Sequence, residues 1–286
     1  MANRSFLYVP GDRPDRVAKA LASAADAVIV DLEDAVKPAG KHEARALVRE
    51  LAPRSQGETW VRINSGDRGR LDLAAIAAIA AIAAVDVVRS GHAADGRTDD
   101  RAIAGVVVAK CETTMWLDQV AASLRGGIAV APLVETARAV RHLDELCAHP
   151  RVTQCHLGEV DLLADLGGRG SGADALIHHA RCELVIASAA AGILAPIGGV
   201  HLAIDDLDAL GESSRLLAEL GFSGRAVVHP SHCDLVNAAF GPSADEVAQA
   251  LDVLARWEAT TSGAVRAADG SMIDEAIVQR ARRLLS

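Results

Sequence analysis

The sequence predicts an α/β protein, a single (β/α)8 TIM barrel with a C-terminal helical extension, on three observations. Short apolar, β-branched runs alternate with longer segments of helical period, the pattern of a parallel sheet with crossover helices. Several of these runs do not alternate polar with apolar residues, as expected where both faces of a strand are buried. Eight strand–helix units fit within 286 residues, which favours a closed barrel over an open sheet.

In chain order, strands are expected at Ser5–Val9, Ala27–Asp31, Thr59–Ile63, Gly105–Ala109, Gly127–Pro132, Thr153–Leu157, Gly192–Pro196 and Arg225–His229. Helices are expected at Pro14–Ala25, Lys41–Leu51, Leu71–Ala84, Thr113–Ser123, Thr136–Ala148, Ala173–Ala190 and Asp205–Glu219. The polar stretch Ser90–Asp100 reads as a surface loop. We place the barrel at residues 1–235 and the extension at 236–286. In the extension, Ser243 with Glu246 three residues on forms a helix-start signature. A helix to about Thr260 follows, then a loop at Thr261–Ser271 and a last helix from about Asp274. This tail is expected to cover the barrel mouth or a neighbouring subunit.

Half the residues are hydrophobic, so a large core is available, but aromatics make up only 2% and offer few rings for stacking on bases. The formal charge of −9, without a Lys/Arg run, argues against nucleic-acid or anionic-membrane binding. The five cysteines are scattered and contain no CxxC pair, so neither a disulfide frame nor a structural zinc site is expected. The opening residues lack a signal-peptide core, and the apolar stretch Leu73–Val85 falls short of the roughly 18 residues of a membrane span. A cytoplasmic protein is the expectation.

In such barrels, chemistry gathers at the C-terminal strand ends, where the loops converge. Just past the proposed strands lie Asp31 with Glu33 and Asp34, Arg62 with Asn64, Lys110 with Glu112, then Glu135, Asp161, His201 and His229. Apolar strands that end in charges imply a mouth for a charged ligand. Glu135 and Asp161, after neighbouring strands, suit an octahedral Mg²⁺ that keeps waters and leaves positions for substrate oxygens. Helix capping is the competing role for each. Asp31 is placed to hold metal-bound waters, or else to close a turn. Arg62 could clamp a carboxylate or enolate oxygen, or pair structurally with Asp31 or Glu33. Arg4, Arg13, Lys19, Lys37 and Lys41 form a basic group that could meet phosphates or be solvated surface. His201, His229 and Cys111 are read as structural. The glycines of Gly167–Gly172 fit no phosphate loop.

These residues also carry a family likeness. The segments RSFLYVPGDRPDRVAKAL, DLEDAV (Asp31–Val36), VRIN (Val61–Asn64), PLVETA (Pro132–Ala137), LGEVDLLADLG (Leu157–Gly167), VVHPS (Val227–Ser231) and DGSMID (Asp269–Asp274) occur in order over nearly the whole chain. In this the chain resembles the CitE-like branch of the HpcH/HpaI aldolase superfamily, which includes citrate lyase β subunits and malyl-CoA and citramalyl-CoA lyases. The resemblance implies a trimeric or hexameric Mg²⁺-dependent lyase, with Mn²⁺ as an alternative metal. It would make or break a C–C bond beside a coenzyme A thioester, with a small 2-oxo acid (glyoxylate, pyruvate, or the acetate/oxaloacetate class) as the other partner. It implies Glu135 and Asp161 as metal ligands, Arg62 on a substrate carboxylate or enolate, and Asp31 behind the metal waters. Arg13, Lys19 and Lys37 would meet the CoA phosphates, and Asp274 would act as acid/base from a C-terminal lid.

The chain departs from the family pattern at Val160, where Glu is usual, at Gly198, where Asp is common, at His232 and at Ala109-Lys110. The substrate pocket is therefore expected to differ from the usual one more than the metal pair does. The competing activities are a thioesterase on the same scaffold, a citrate lyase β subunit, and a non-catalytic acyl-CoA-binding relative.

Overall fold

The computed structural model describes residues 3–51, 57–90, 103–124, 127–260, 263–267 and 269–285, with 79–90 described by backbone alone. Eight parallel strands close into a barrel in sequence order. They are β1 (Ser5–Pro10), β2 (Ala27–Asp31), β3 (Glu58–Ile63), β4 (Gly105–Val108), β5 (Ala129–Val134), β6 (His156–Leu157), β7 (Ile197–Gly198) and β8 (Gly224–Val227). The Phe6↔Ala226 pairing of β1 with β8 closes the ring. The crossovers are α1 (Pro14–Leu21), α2 (Lys41–Arg49), α3 (Gly66–Ser90), α4 (Thr114–Ser123), α5 (Ala137–Arg141), α6 (Leu143–Cys147), α7 (Glu159–Leu166), α8 (Gly170–Ala191), α9 (Leu207–Leu220) and α10 (Cys233–Ala239).

The barrel is filled from inside, as the buried apolar strands imply. Phe6, Ile29, Trp60, Val107, Leu133 and Ile197 belong to one buried cluster. Phe6 meets Trp60 edge to face at 6.0 Å and the His156 ring at 5.0 Å. Rings in this arrangement place a positive edge on a negative face, which adds to their area burial. This packing makes the barrel a solid floor under its mouth.

Three expected elements sit elsewhere. The seventh strand is Ile197–Gly198, not Gly192–Pro196. Gly192 takes the left-handed conformation at φ 69° and ends α8, so the apolar run after it is a connection in which Leu194 is exposed. The fifth strand runs two residues later than expected, to Val134, which brings Glu135 directly to the barrel rim. The single helix expected over Thr136–Ala148 is two short ones that break at His142, where φ is −113°. The stretch expected as the loop Ser90–Asp100 begins on the last residue of α3, and the rest of it lies outside the described residues.

The chain divides into two compact units, Ala2–Asn237 and Ala238–Ser286. In the second unit, α11 (Ala244–Glu258) starts with the capping box expected of Ser243 and Glu246. A small antiparallel pair joins the expected loop to its end, β9 (Val265–Arg266) inside it and β10 (Met272–Ile273) just after it, and α12 (Glu275–Leu285) follows. No helix of the described residues is long and apolar enough to cross a membrane.

Candidate active site

The C-terminal strand ends enclose a cavity of about 210 Å³ whose walls include Asp31, Arg62, Glu135 and Asp161. Four residues chosen from separate strand ends thus meet in one place. Arg13, Lys19 and Lys37 do not line it.

On the β2–β4 side every charge is already answered. Asp31 and Arg62 are register partners on adjacent strands, so their side chains lie next to each other. Arg62 donates from Nε to Asp31 Oδ1 at 2.7 Å and from Nη2 to Oδ2 at 2.6 Å. The same two oxygens accept the backbone N–H groups of Glu33 and Ala35. Glu33 Oε2 stands 3.4 Å from Arg62 Nη1, while Lys110 Nζ donates to Glu33 Oε1 at 2.6 Å. Burial works against the Arg62 charge, but the bonds and field of Asp31 outweigh it and raise its pKa. The Arg62 guanidinium also lies 4.9 Å from the Tyr8 ring, whose phenol burial pushes up. The structural pairing of Arg62 is therefore realised, and Asp31 acts first of all as its anchor.

Lys110 joins this side to the next. It is the one described non-glycine residue with positive φ, at 49°. That left-handed backbone is costly for a residue with a Cβ and tends to persist where the surroundings enforce it. Here it turns the Lys110 N–H onto Glu135 Oε1 at 2.6 Å.

On the β5–β6 side the polar groups are unanswered. Glu135 is 1% exposed, and its Oε2 has no hydrogen-bond partner among the described residues. Burial pushes its pKa up to about 7, against the lowering effect of the Lys110 N–H and charge. A carboxylate oxygen held dry and unpaired beside a cavity calls for a cation. Asp161 lies in the first turn of α7, whose cap position is Gly158 rather than Asp161, so the capping role is not the one realised. Space beside the carboxylate is preserved by Gly158: a Cβ there would sit 2.6 Å from Glu135 Cβ and 2.9 Å from Oε2. Glu159, two residues before Asp161, is taken by a two-pronged pair with Arg181 at 2.8 and 2.7 Å. No group of three or more His, Cys, Asp or Glu among the described residues could hold a metal by itself. Two carboxylates plus water and substrate oxygens is the donor set a Mg²⁺ accepts, so the residues fit such an ion.

The remaining expected site residues are dispersed. Lys19 lines a second cavity of about 420 Å³ with Arg16 and His229 near the end of β1. Arg13 pairs with Asp15 at 3.5 Å, and Lys37 precedes the 3-10 turn Pro38–Gly40. Two members of the basic group make contacts within the barrel. Lys41 is buried and donates to Leu32 O, Glu33 O and Asn64 Oδ1, and Arg4 pairs with Asp26 and donates to Asn237 O. Asp274 caps α12 by accepting from the Ile277 N–H at 3.1 Å. Cys111 is buried, and burial pushes its thiol up to about 12. Burial likewise lowers His201, and His229 Nδ1 lies 2.6 Å from Ser231 Oγ. Sequence reasoning missed Tyr8, His156 and Gly158. The usable signals were a polar ring inside an apolar strand run and a glycine at the strand end.

Fold and mouth define the class: a (β/α)8 barrel whose loops gather one charged, partly unsatisfied cavity. The chain belongs to the HpcH/HpaI aldolase/citrate lyase family, whose model matches residues 4–230. It is 35% identical over 294 residues to a citrate lyase subunit beta-like protein of Mycobacterium tuberculosis, covering 99% of this chain and 95% of that one. It is 33% identical over 290 residues to a (3S)-malyl-CoA thioesterase of Cereibacter sphaeroides, covering 99% and 93%. Among solved structures, CitE of Mycobacterium tuberculosis, in complex with magnesium, acetoacetate and coenzyme A, superposes with a TM-score of 0.79. That match has 33% identity and covers 99% of this chain and 97% of that one.

Proposed function

We propose that this protein is a Mg²⁺-dependent carbon–carbon lyase that cleaves, and in reverse condenses, a short 3-hydroxyacyl-CoA such as malyl-CoA or citramalyl-CoA. The observation that carries the reading is the unpaired Glu135 Oε2 in the cavity that Asp161 and Arg62 also line. Glu135 and Asp161 would hold the ion. Bound there, it would polarise the carbonyl of the 2-oxo acid half.

The chain's own residues account for the rest. Retro-Claisen cleavage takes the proton from the substrate hydroxyl, breaks the adjacent C–C bond and leaves the electron pair on the thioester enolate. Arg62, fixed by Asp31, has N–H groups beyond those it gives Asp31, and these would face the enolate oxygen. Tyr8 and Leu133 in the cavity wall exclude water from the carbanion. Asp274 is our candidate for the acid/base, brought to a neighbouring subunit's mouth in a trimer-based assembly. The cavity with Lys19 and Arg16 is our candidate for the coenzyme A end, where two cations would meet phosphate.

Hydrolysis is the second reading, favoured by the 33% identity to a protein named as a malyl-CoA thioesterase. Incubation of malyl-CoA and citramalyl-CoA with the protein and Mg²⁺, followed by product analysis, separates the two. Acetyl-CoA with glyoxylate or pyruvate is the expected result. Free CoA with the hydroxy acid would assign hydrolysis, and no turnover of either thioester would overturn the proposal.

A further inference from the structure

His156 is the second unanswered group of the mouth, and neither half of the proposed chemistry uses it. It is 2% exposed and lines the same cavity as Glu135. Neither Nδ1 nor Nε2 has a hydrogen-bond partner among the described residues. Its ring is fixed, with Phe6 edge to face at 5.0 Å and Trp60 at 6.2 Å, so the imidazole cannot swing away to find one. Buried polar atoms are partnered as a rule, and two on one locked ring ask for a partner from outside the chain.

The topology says where that partner would sit. His156 pairs in register with Leu133, and two residues on, just past the ends of β6 and β5, the chain reaches the barrel rim. Those next positions are Gly158 and Glu135. Gly158 has no side chain, and a Cβ there would collide with Glu135. The glycine therefore keeps open the space beside the Glu135 carboxylate, in the cavity that His156 also lines. The floor around His156 is otherwise apolar, with Phe6, Trp60, Leu133 and Ile197.

The chemistry of the ring narrows the ligand. Burial holds the imidazole neutral, its pKa pushed down to about 3. A neutral imidazole offers one N–H donor and one lone pair, and no positive charge. A carboxylate would find no cation on this floor. A methyl group would leave both nitrogens unpaired. A hydroxyl, which can donate to the lone pair or accept from the N–H, would answer one of the two nitrogens.

We infer that His156 is a specificity-determining residue of this cavity, selecting a short 2-oxo acid, or the corresponding half of a thioester, whose tail carries a hydroxyl. This rests on the proposed cation site at Glu135 and Asp161, which would hold the acid's other end. A site built to hydrogen-bond a hydroxyl rejects the analogue that lacks it, because its own buried groups are then left unpaired.

The test is calorimetric titration of the full chain, saturated with Mg²⁺, with hydroxypyruvate, pyruvate and oxaloacetate. Wild type is expected to bind hydroxypyruvate about tenfold or more tighter than the other two, the effect of one net hydrogen bond. His156→Phe keeps the ring packing against Phe6 and Trp60 and should reduce the preference to near unity while still binding pyruvate. His156→Gln, which keeps a donor and an acceptor, should restore part of it. A readout that needs no variant is the ¹⁵N signal of the His156 imidazole, which should shift with hydroxypyruvate and not with pyruvate. Equal binding of all three acids by wild type, or an unchanged preference in His156→Phe, overturns the inference and leaves an internal water as the ring's partner. If wild type binds none of the acids, the cation reading fails and the inference with it. That outcome is recognisable because all three ligands are lost together.

Discussion

The two sides of the barrel mouth differ in how far their polar groups are satisfied. On the β2–β4 side, Asp31, Arg62, Glu33 and Lys110 form a closed set in which each charge has an opposite partner within 3.4 Å. On the β5–β6 side, Glu135 Oε2 and both His156 nitrogens are buried without partners among the described residues. Asp31 and Glu33 are as buried as Glu135 and His156, so the depth of these groups does not separate the two sides; Lys110, at the edge of the closed set, is exposed. The saturated side is a preorganised field whose geometry is set before any ligand arrives. The unsaturated side carries a desolvation cost that only a ligand offsets.

The largest break in this contrast comes from Asp31→Ala. It leaves the Arg62 guanidinium buried without its main anchor and should destabilise the protein by about 3–5 kcal/mol in denaturant titration. Asp31→Asn should lose less, because it keeps an acceptor for Arg62. A cost under about 1 kcal/mol for the alanine variant would mean that the closed set is not closed.

The pH dependence of the apo protein tests the other side. Glu135 titrates near 7 when folded, above its ordinary 4.5, so the folded state binds more protons than the unfolded state between these values. Stability should therefore fall as pH rises from about 5 to about 7.5, by up to about 3 kcal/mol. Added Mg²⁺ should restore stability at the upper end of this range, and Glu135→Gln should flatten the profile. A profile for Glu135→Gln identical to wild type would assign the slope to other groups.

Gly158→Ala probes the space beside the Glu135 carboxylate. The added methyl meets Glu135 at 2.6 Å and should cost about 1–3 kcal/mol of stability. It should also weaken Mg²⁺ binding, read by the same titration, because Glu135 must move. The smallest effect is expected for Lys110→Gly. Its N–H to Glu135 is kept and its positive φ becomes unstrained, which partly offsets the lost pair with Glu33. A net change within about 1 kcal/mol is the expected thermal-denaturation result. Lys110→Ala, which keeps the strain and loses the pair, should be the less stable of the two.

Much of this layout was legible in the chain. Buried apolar strand runs revealed the barrel, because a parallel sheet covered on both faces admits no other pattern. Strand-end positions placed Asp31, Arg62, Glu135 and Asp161 at one mouth, because a closed barrel sends all eight ends to the same face. What stayed hidden depends on registers and dihedrals. The sequence left open whether Arg62 clamps a ligand or pairs with Asp31 or Glu33, and the choice follows from the pairing across β2 and β3, which no local pattern states. The turn of Lys110 toward Glu135 rests on a single positive φ. The seventh strand was misplaced because the run after Gly192 has strand composition but follows a left-handed helix end. His156 was overlooked because a lone polar residue in an apolar strand reads as a satisfied core histidine, and only the packing shows that it has no partner.

The most direct measurement is calorimetric titration of Mg²⁺ into wild type and Glu135→Gln at pH 6 and pH 8. If the unsatisfied side is a cation site, wild type binds at pH 8 and about tenfold more weakly at pH 6, where Glu135 holds a proton that the ion must displace. The Glu135→Gln variant then gives no binding heat at either pH. Equal affinity at both pH values, or a glutamine variant that binds as wild type does, would contradict the account.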